Sequence, residues 1–297
     1  MTDGAHQKRI VLAGASGTIG SAVATALRVD GHDVTCLSRA DFADAKTLAL
    51  AMADARPDTV ISCIASRSGS PKDAQAVDYQ ANADLLAAAV AAGAGHFILL
   101  SAICVQKPKL AFQQAKLAFE AKLKAASIDH TIIRPTAFFK SLSGQVERVA
   151  KGARFFVFGD GELTRCKPIS DRDLARFVAD CVTDPERRGQ TLPIGGPGPA
   201  ISLNDQAHML GELLGREVRT RAVPLWMFGV FERLFGLGAP ISGWAAEKAE
   251  YARIARYYAT ESMLVLDAET GEYSAEATPE FGSDTLCDHY ETLLADG

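Results

Sequence analysis

The sequence predicts an α/β fold, a doubly wound parallel sheet of Rossmann type with a smaller, mostly helical C-terminal substrate region. Three observations predict it. A short apolar run, residues 10–13, closes on Gly14, Gly17 and Gly20. Strand-length apolar runs then alternate with helix-length stretches as far as Pro135, the rhythm of parallel strands joined by right-handed crossovers. Beyond Pro135 the rhythm breaks into short strands, glycine turns and long helical stretches. We expect residues 1–200 to form the core, with substrate-side insertions after 135, and residues 201–297 to form the helical region, packed as one unit with that core.

Residues 10–13 form the first strand. Gly14 permits a tight turn, Gly17 lets the backbone approach a pyrophosphate, and Gly20 lets the following helix pack on the strand. The whole loop, Gly14, Ala15, Ser16, Gly17, Thr18, Ile19 and Gly20, is therefore expected to hold a dinucleotide, with amides at the helix start facing the phosphates. The helix continues to Asp30, Gly31 ends it, and residues 34–37 form the second strand. An acidic residue at that strand's end would hold the ribose of NAD; here stand Ser38 and Arg39. A hydroxyl and a guanidinium suit a 2′-phosphate, hence NADPH, although Asp41 lies close by. Residues 47–55 are helical, Pro57 stops them, and residues 59–64 form the third strand. The loop after it, residues 65–72, lies at a strand's carboxyl end, where open α/β sheets bind ligands; Ala65 and Ser66 are expected at the cofactor. A helix over 78–92, a strand over 97–100 ending in Ser101, a helix over 110–126 and a strand over 131–134 before Pro135 complete this half.

In the second half, residues 155–158 and 163–169 read as short strands flanking the turn at Gly159, Asp160 and Gly161. Ser170 and Asp173 have capping-box spacing for a helix over 174–182. A strand over 192–194 precedes a glycine- and proline-rich turn, and Ser202 caps a helix through Leu214. Residues 224–237 are apolar on nearly every face, interrupted by Glu232 and Arg233. They read as a buried helix, or as a wall for a large flat apolar ligand, a dimer contact or a membrane-facing edge.

Composition narrows the function classes. The 297 residues carry a net charge of −5 with mixed signs, which gives no reason to expect nucleic acid. The six cysteines, without C-x-x-C spacing, read as reduced intracellular thiols, and the six histidines lack metal-ligand spacing, so no protein-bound metal is expected. No apolar run is long enough to span a bilayer, and the first residues lack a signal peptide's apolar stretch. A cytoplasmic protein is expected, with peripheral contact at a membrane surface left open.

The glycine spacing resembles that of the short-chain dehydrogenase/reductase superfamily. Its Tyr-x-x-x-Lys pair corresponds here to Phe112-Gln113-Gln114-Ala115-Lys116. Lysine is kept, and the tyrosine that would donate a proton to a carbonyl is phenylalanine. Reduction of a carbon–carbon double bond places its proton on carbon, so Lys116 or water could serve. Lys116 is the expected catalytic residue and also orients the nicotinamide ribose. Ser101 corresponds to the superfamily's serine, and Pro135 closes the strand beside the nicotinamide. Phe138, Phe139 and Lys140, just beyond it, suit a planar acid. Cys104 and Cys166 lie near lysines that could lower a thiol's pKa, or are small buried hydrophobes.

Several stretches together, residues 14–20, 61–72 with 78–82, 99–108, 112–120, 134–149, 157–175, 257–263 and 284–290, resemble one family. It is that of the NADPH-dependent 3,8-divinyl (proto)chlorophyllide 8-vinyl reductases, atypical short-chain reductases of the NmrA-like branch. The resemblance covers almost the whole chain, is weakest over residues 221–250, and without a plastid transit peptide implies the bacterial form. It implies reduction of a tetrapyrrole's C8 vinyl group to ethyl in chlorophyll or bacteriochlorophyll biosynthesis, the magnesium being carried by the substrate. Hydride would reach the vinyl terminus, the macrocycle would delocalise the developing charge, and Lys116, Tyr257 or water would supply the proton. Cys104, Phe138, Phe139, Lys140 and Tyr257 are the implied substrate residues. Two other readings share the missing tyrosine: an NADP-sensing NmrA-like regulator without catalysis, and an ene reductase of smaller phenolic substrates.

Overall fold

The computed structural model describes residues 7–238 and 243–295. They divide into two compact units. The first comprises Met1–Arg67, Pro71–Pro135 and Asp171–Pro193; the second comprises Ser68–Ser70, Thr136–Ser170 and Ile194–Gly297.

The first unit is built on a six-stranded sheet of order β2-β1-β3-β4-β5-β7. Its strands are β1 (Arg9–Ala13), β2 (Asp33–Leu37), β3 (Thr59–Ser62), β4 (His96–Leu100), β5 (Asp129–Pro135) and β7 (Gln190–Ile194). The pairs β1–β2, β1–β3, β3–β4 and β4–β5 are all parallel. Strand β1 has its sequence successor on one side and β3 on the other, so the chain reverses its winding direction there. Ligands of open α/β sheets settle at such a point, outside the carboxyl ends of the strands.

Both faces of the central strands are covered, which is why β1, β3 and β4 read as continuous apolar runs. On one face Val11, Val60, Phe97 and Ile132 pack against α2 (Ala45–Ala55), α4 (Asn82–Ala91) and α5 (Ala111–Lys124) through Met52, Leu85, Phe119 and Leu123. The alternate residues Ile10, Leu12, Ile61, Ile98 and Ile133 are also buried. Helices α1 (Thr18–Val29) and α8 (Asp171–Thr183) pack together, joined by the ion pair of Arg176 with Asp30 at 2.5 Å.

The helix expected over 78–92 begins earlier. A turn, α3 (Pro71–Asp73), runs into a π-helical stretch, Ala74–Ala81, and then into α4. The Asn82 amide donates to the carbonyls of Val77 and Asp78, satisfying acceptors at the change of helical pitch. Apolar periodicity could not show this, because the π stretch is held by one asparagine.

In the second unit, α6 (Phe139–Leu142), α7 (Val146–Ala150), α9 (Leu203–Leu213) and α12 (Leu286–Ala295) surround a core of Phe139, Val146, Val149, Leu210 and Tyr290. Ser202 caps α9, as expected, its hydroxyl accepting from the Asp205 amide; the Asp205 carboxylate accepts in turn from the Ser202 amide. Strand β6 (Phe155–Phe158) pairs in parallel with β8 (Thr220–Val223). The helices α10 (Trp226–Gly238) and α11 (Gly243–Thr260) pack on one another, and a small hairpin pairs β9 (Val265–Leu266) with β10 (Tyr273–Ser274).

The strand expected over residues 163–169 is absent. That segment makes single bridges instead, Cys166 to Ile201 and Met263, and Ile169 to Phe138. Strand β6 takes β8 as its partner, and Pro168, lacking an N–H, interrupts any ladder.

Candidate active site

The glycine turn follows β1 and runs into α1. Gly14 sits at φ +89°, and a Cβ there would lie 2.7 Å from the Cys63 backbone after β3. A Cβ on Gly20 would lie 2.1 Å from the Gly14 carbonyl oxygen. Those two glycines are therefore required by the turn itself. Gly17 is different: its amide donates to the Gly14 carbonyl at 3.0 Å, and a Cβ there would meet only that oxygen, at 3.4 Å. Its bare, exposed backbone suits close approach by a ligand. The first amides of a helix have no acceptor within the helix and carry its positive end. Turn and helix start together fit a dinucleotide's pyrophosphate.

At the end of β2, the Ser38 amide and hydroxyl donate to one Asp41 carboxylate oxygen at 2.6 and 2.7 Å. These bonds hold the Asp41 carboxyl below its ordinary pKa. Asp41 is thus occupied by Ser38, while the exposed Arg39 makes no ion pair or side-chain hydrogen bond among the described residues.

Lys116 and Phe112 lie one turn apart on α5. The Lys116 ammonium is buried and pairs with Asp78 at 2.9 Å; the Asp78 side chain is fully buried. Asp78 Oδ1 also accepts from the Ser66 amide at 3.3 Å, and its Oδ2 is buried without a partner. Ser62, at the end of β3, donates its hydroxyl to Asn82. A polar chain therefore fixes the π-helical stretch between the sheet and the lysine.

Ser101, at the end of β4, donates to Glu120 Oε1 at 2.6 Å, and Arg134 Nε donates to the same oxygen at 3.1 Å. The Arg134 guanidinium also pairs with Glu120 Oε2. Ser101 is thus engaged with a buried carboxylate. Gln113, beside Phe112, accepts from the amides of Lys109 and Leu110 at 2.8 and 3.0 Å and leaves its Nε2 buried and unpartnered.

Other expected residues are placed less openly. Ala65 is exposed, Ser66 is half-buried and Pro135 is buried. Cys104 is buried in the turn Ile103–Gln106, between the equally buried Ile103 and Val105. Cys166 is buried too, and burial pushes its thiol up to about 12, which removes it as a thiolate nucleophile at neutral pH. In the second unit, Phe139 belongs to the core, its ring 5.5 Å from that of His289. Tyr257 is 3% exposed, whereas Phe138 is half-buried and Lys140 exposed.

Residues 37–185 match the family model for NAD(P)H-binding proteins. The chloroplastic divinyl chlorophyllide a 8-vinyl-reductase of Oryza sativa subsp. indica is 44% identical over 319 residues, covering 97% of this chain and 79% of that protein. The chain belongs to the divinyl chlorophyllide a 8-vinyl-reductase family. The Cucumis sativus member is 48% identical over 271 residues, covering 88% of this chain and 64% of its own, so the chain spans less than two thirds of that relative. Among solved structures, a nucleoside-diphosphate-sugar epimerase from Staphylococcus aureus superposes with a TM-score of 0.66, 17% identity and coverage of 95% of this chain and 99% of the other. That likeness establishes the fold and carries no chemistry. No cluster of metal-ligating side chains occurs among the described residues.

In this 8-vinyl-reductase family member, sequence reasoning singled out Lys116 and Ser101 but not the buried carboxylates they pair with, Asp78 and Glu120. Asp78 was within a stretch that carried the family resemblance, but nothing in its spacing marks it as the partner of a lysine 38 positions later.

Proposed function

We propose that the protein reduces the C8 vinyl group of 3,8-divinyl chlorophyllide a or protochlorophyllide a to ethyl, with hydride from NADPH. Membership in the reductase family carries the reading, and Phe112 in place of the proton-donating tyrosine agrees with it. NADPH, when bound, supplies the hydride; a proton on the adjacent carbon completes the ethyl group. The glycine turn holds the pyrophosphate and Arg39 the 2′-phosphate. Lys116, anchored by Asp78, orients the nicotinamide ribose. With phenylalanine at 112 and Ser101 engaged by Glu120, those two positions do not supply a hydroxyl pair to polarise a carbonyl, which favours reduction of a carbon–carbon bond. Orientation and exclusion of water are then the protein's main contributions.

The test is incubation of the pure protein with NADPH and each divinyl pigment in turn. A shift of pigment absorption to shorter wavelength, with NADPH consumed in equal amount, is the expected result. NADPH binding without turnover of either pigment would make the protein a nucleotide sensor, and turnover of small phenolics alone would make it a different ene reductase.

A further inference from the structure

The outer face of the β6–β8 sheet carries a concentration of arginine that the nucleotide chemistry does not use. Residues 147–154 and 216–221 contain six cations, Arg148, Lys151, Arg154, Arg216, Arg219 and Arg221, against two acids, Glu147 and Glu217, in a chain of net charge −5. Glu147 pairs with Lys151 at 2.5 Å. Register and pleat then sort the rest. Phe156 stands opposite Arg221 and Phe155 opposite Thr220. Neighbours in register share a face and successive residues alternate. Phe155 and Val157 are buried in the core of the second unit, so Phe156, Phe158, Arg221 and, one pleat back, Arg154 and Arg219 point outward. The Arg148 guanidinium lies 4.2 Å from the centre of the Phe156 ring on that same face. Arg154, Arg219 and Arg221 are exposed and make no ion pair or side-chain hydrogen bond among the described residues.

Helix α10 lies on the far end of this face, its Phe228 ring 5.5 Å from that of Phe158. Trp226, Val230 and Leu234, four residues apart, form a stripe on α10 with exposures of 69, 51 and 62%. Two residues separate Phe228 from Trp226, about 200° of helical rotation, so the stripe looks away from the sheet. The outward side therefore combines unpaired guanidinium groups with a tryptophan-led apolar stripe. No helix among the described residues is long and apolar enough to cross a membrane, so such a surface would lie on a bilayer.

We propose that this face docks the protein on an anionic lipid bilayer. The arginines take the headgroup phosphates, and Trp226, Val230 and Leu234 enter the interface beneath them. An acidic protein surface would complement the arginines but leave the apolar stripe uncovered, which is why the bilayer is the better fit.

The test is co-sedimentation of the full chain with vesicles of phosphatidylcholine alone and of phosphatidylcholine with one-third phosphatidylglycerol. The protein is expected to pellet with the anionic vesicles, less so as salt rises, and to stay in solution with the neutral ones. Removing two charges with R219Q/R221Q is expected to lower partitioning about thirtyfold. Trp226→Ala should weaken binding while keeping its salt dependence. No pelleting with anionic vesicles, or equal pelleting of R219Q/R221Q and the parent, would overturn the proposal. NADPH titration of each variant checks that it is folded, and a negative result leaves the reductase reading untouched.

Discussion

The Lys116 ammonium lies 2.9 Å from Oδ1 of Asp78, with neither side chain more than 10% exposed. A buried pair of this kind adds little to stability as a whole, but losing one member strands the other at a cost of about 3–5 kcal/mol. Asp78 therefore sets where the lysine can stand. Lys116→Ala should cut turnover much more than it weakens NADPH binding. Asp78→Asn, whose amide oxygen can still accept from Ser66, should reduce kcat with a smaller change in the KM for NADPH. Because Asp78 acts through Lys116, the double variant should turn over no more slowly than Lys116→Ala alone. Equal activity of Lys116→Ala and the parent would remove the lysine from the mechanism. Simple multiplication of the two single effects would give Asp78 a separate role.

The three glycines of the turn should part company when each is changed to alanine. Gly14→Ala and Gly20→Ala bring a methyl within 2.7 and 2.1 Å of backbone atoms, so both should lower the melting temperature and abolish nucleotide binding together. Gly17→Ala meets its nearest atom at 3.4 Å and should keep the fold while weakening NADPH by tenfold or more. Calorimetry of melting and of binding reads the two effects separately. A Gly17→Ala protein that binds NADPH normally would mean that the pyrophosphate lies elsewhere.

Much of this frame was legible in the residues. The continuous apolar runs at residues 10–13 and 97–100 and the glycines after the first gave the sheet and its crevice, because a strand buried on both faces has no polar positions to blur its pattern. Ser202 marked the start of α9, because a cap is a local bond between a side chain and the first turn. What escaped were partners chosen by tertiary placement. Asp78 meets Lys116 only because a π-helical stretch held by Asn82 carries it there, and Glu120 takes Ser101 and Arg134 only because β4 and β5 are neighbours. Residues 163–169 read as a strand on composition, yet the edge of β6 went to β8, a competition that no local propensity records.

Arg39 should set the choice of nucleotide. It is exposed at the end of β2 and unpaired among the described residues, while Asp41 is bound by Ser38. Replacing Arg39 with alanine removes a charge-assisted contact to the 2′-phosphate, and so should raise the KM for NADPH by about tenfold or more. The KM for NADH should hardly move. Steady-state kinetics with both nucleotides decides it; an equal rise for both would place Arg39 against the pyrophosphate or adenine instead.

Stability should begin to fall with acid below about pH 6.5, and His96 is the main reason. Its ring is buried, with Nε2 2.9 Å from the Thr131 hydroxyl and Nδ1 unpartnered. Burial lowers its pKa from 6.5 to about 4, and His32 and His130 shift in the same direction for the same cause. A base whose folded pKa is depressed favours the folded state above its unfolded pKa. The unfolded chain takes up the proton first as pH drops, so this stability drains away between 6.5 and about 4. At about 1.4 kcal/mol per unit, His96 alone can account for about 3 kcal/mol. The melting temperature should therefore decline steadily across that window. His96→Gln should start from a lower melting temperature at pH 8, having lost its contact with Thr131, and should decline less steeply. Parallel slopes for parent and variant would show that the buried imidazole is not what makes the fold sensitive to acid.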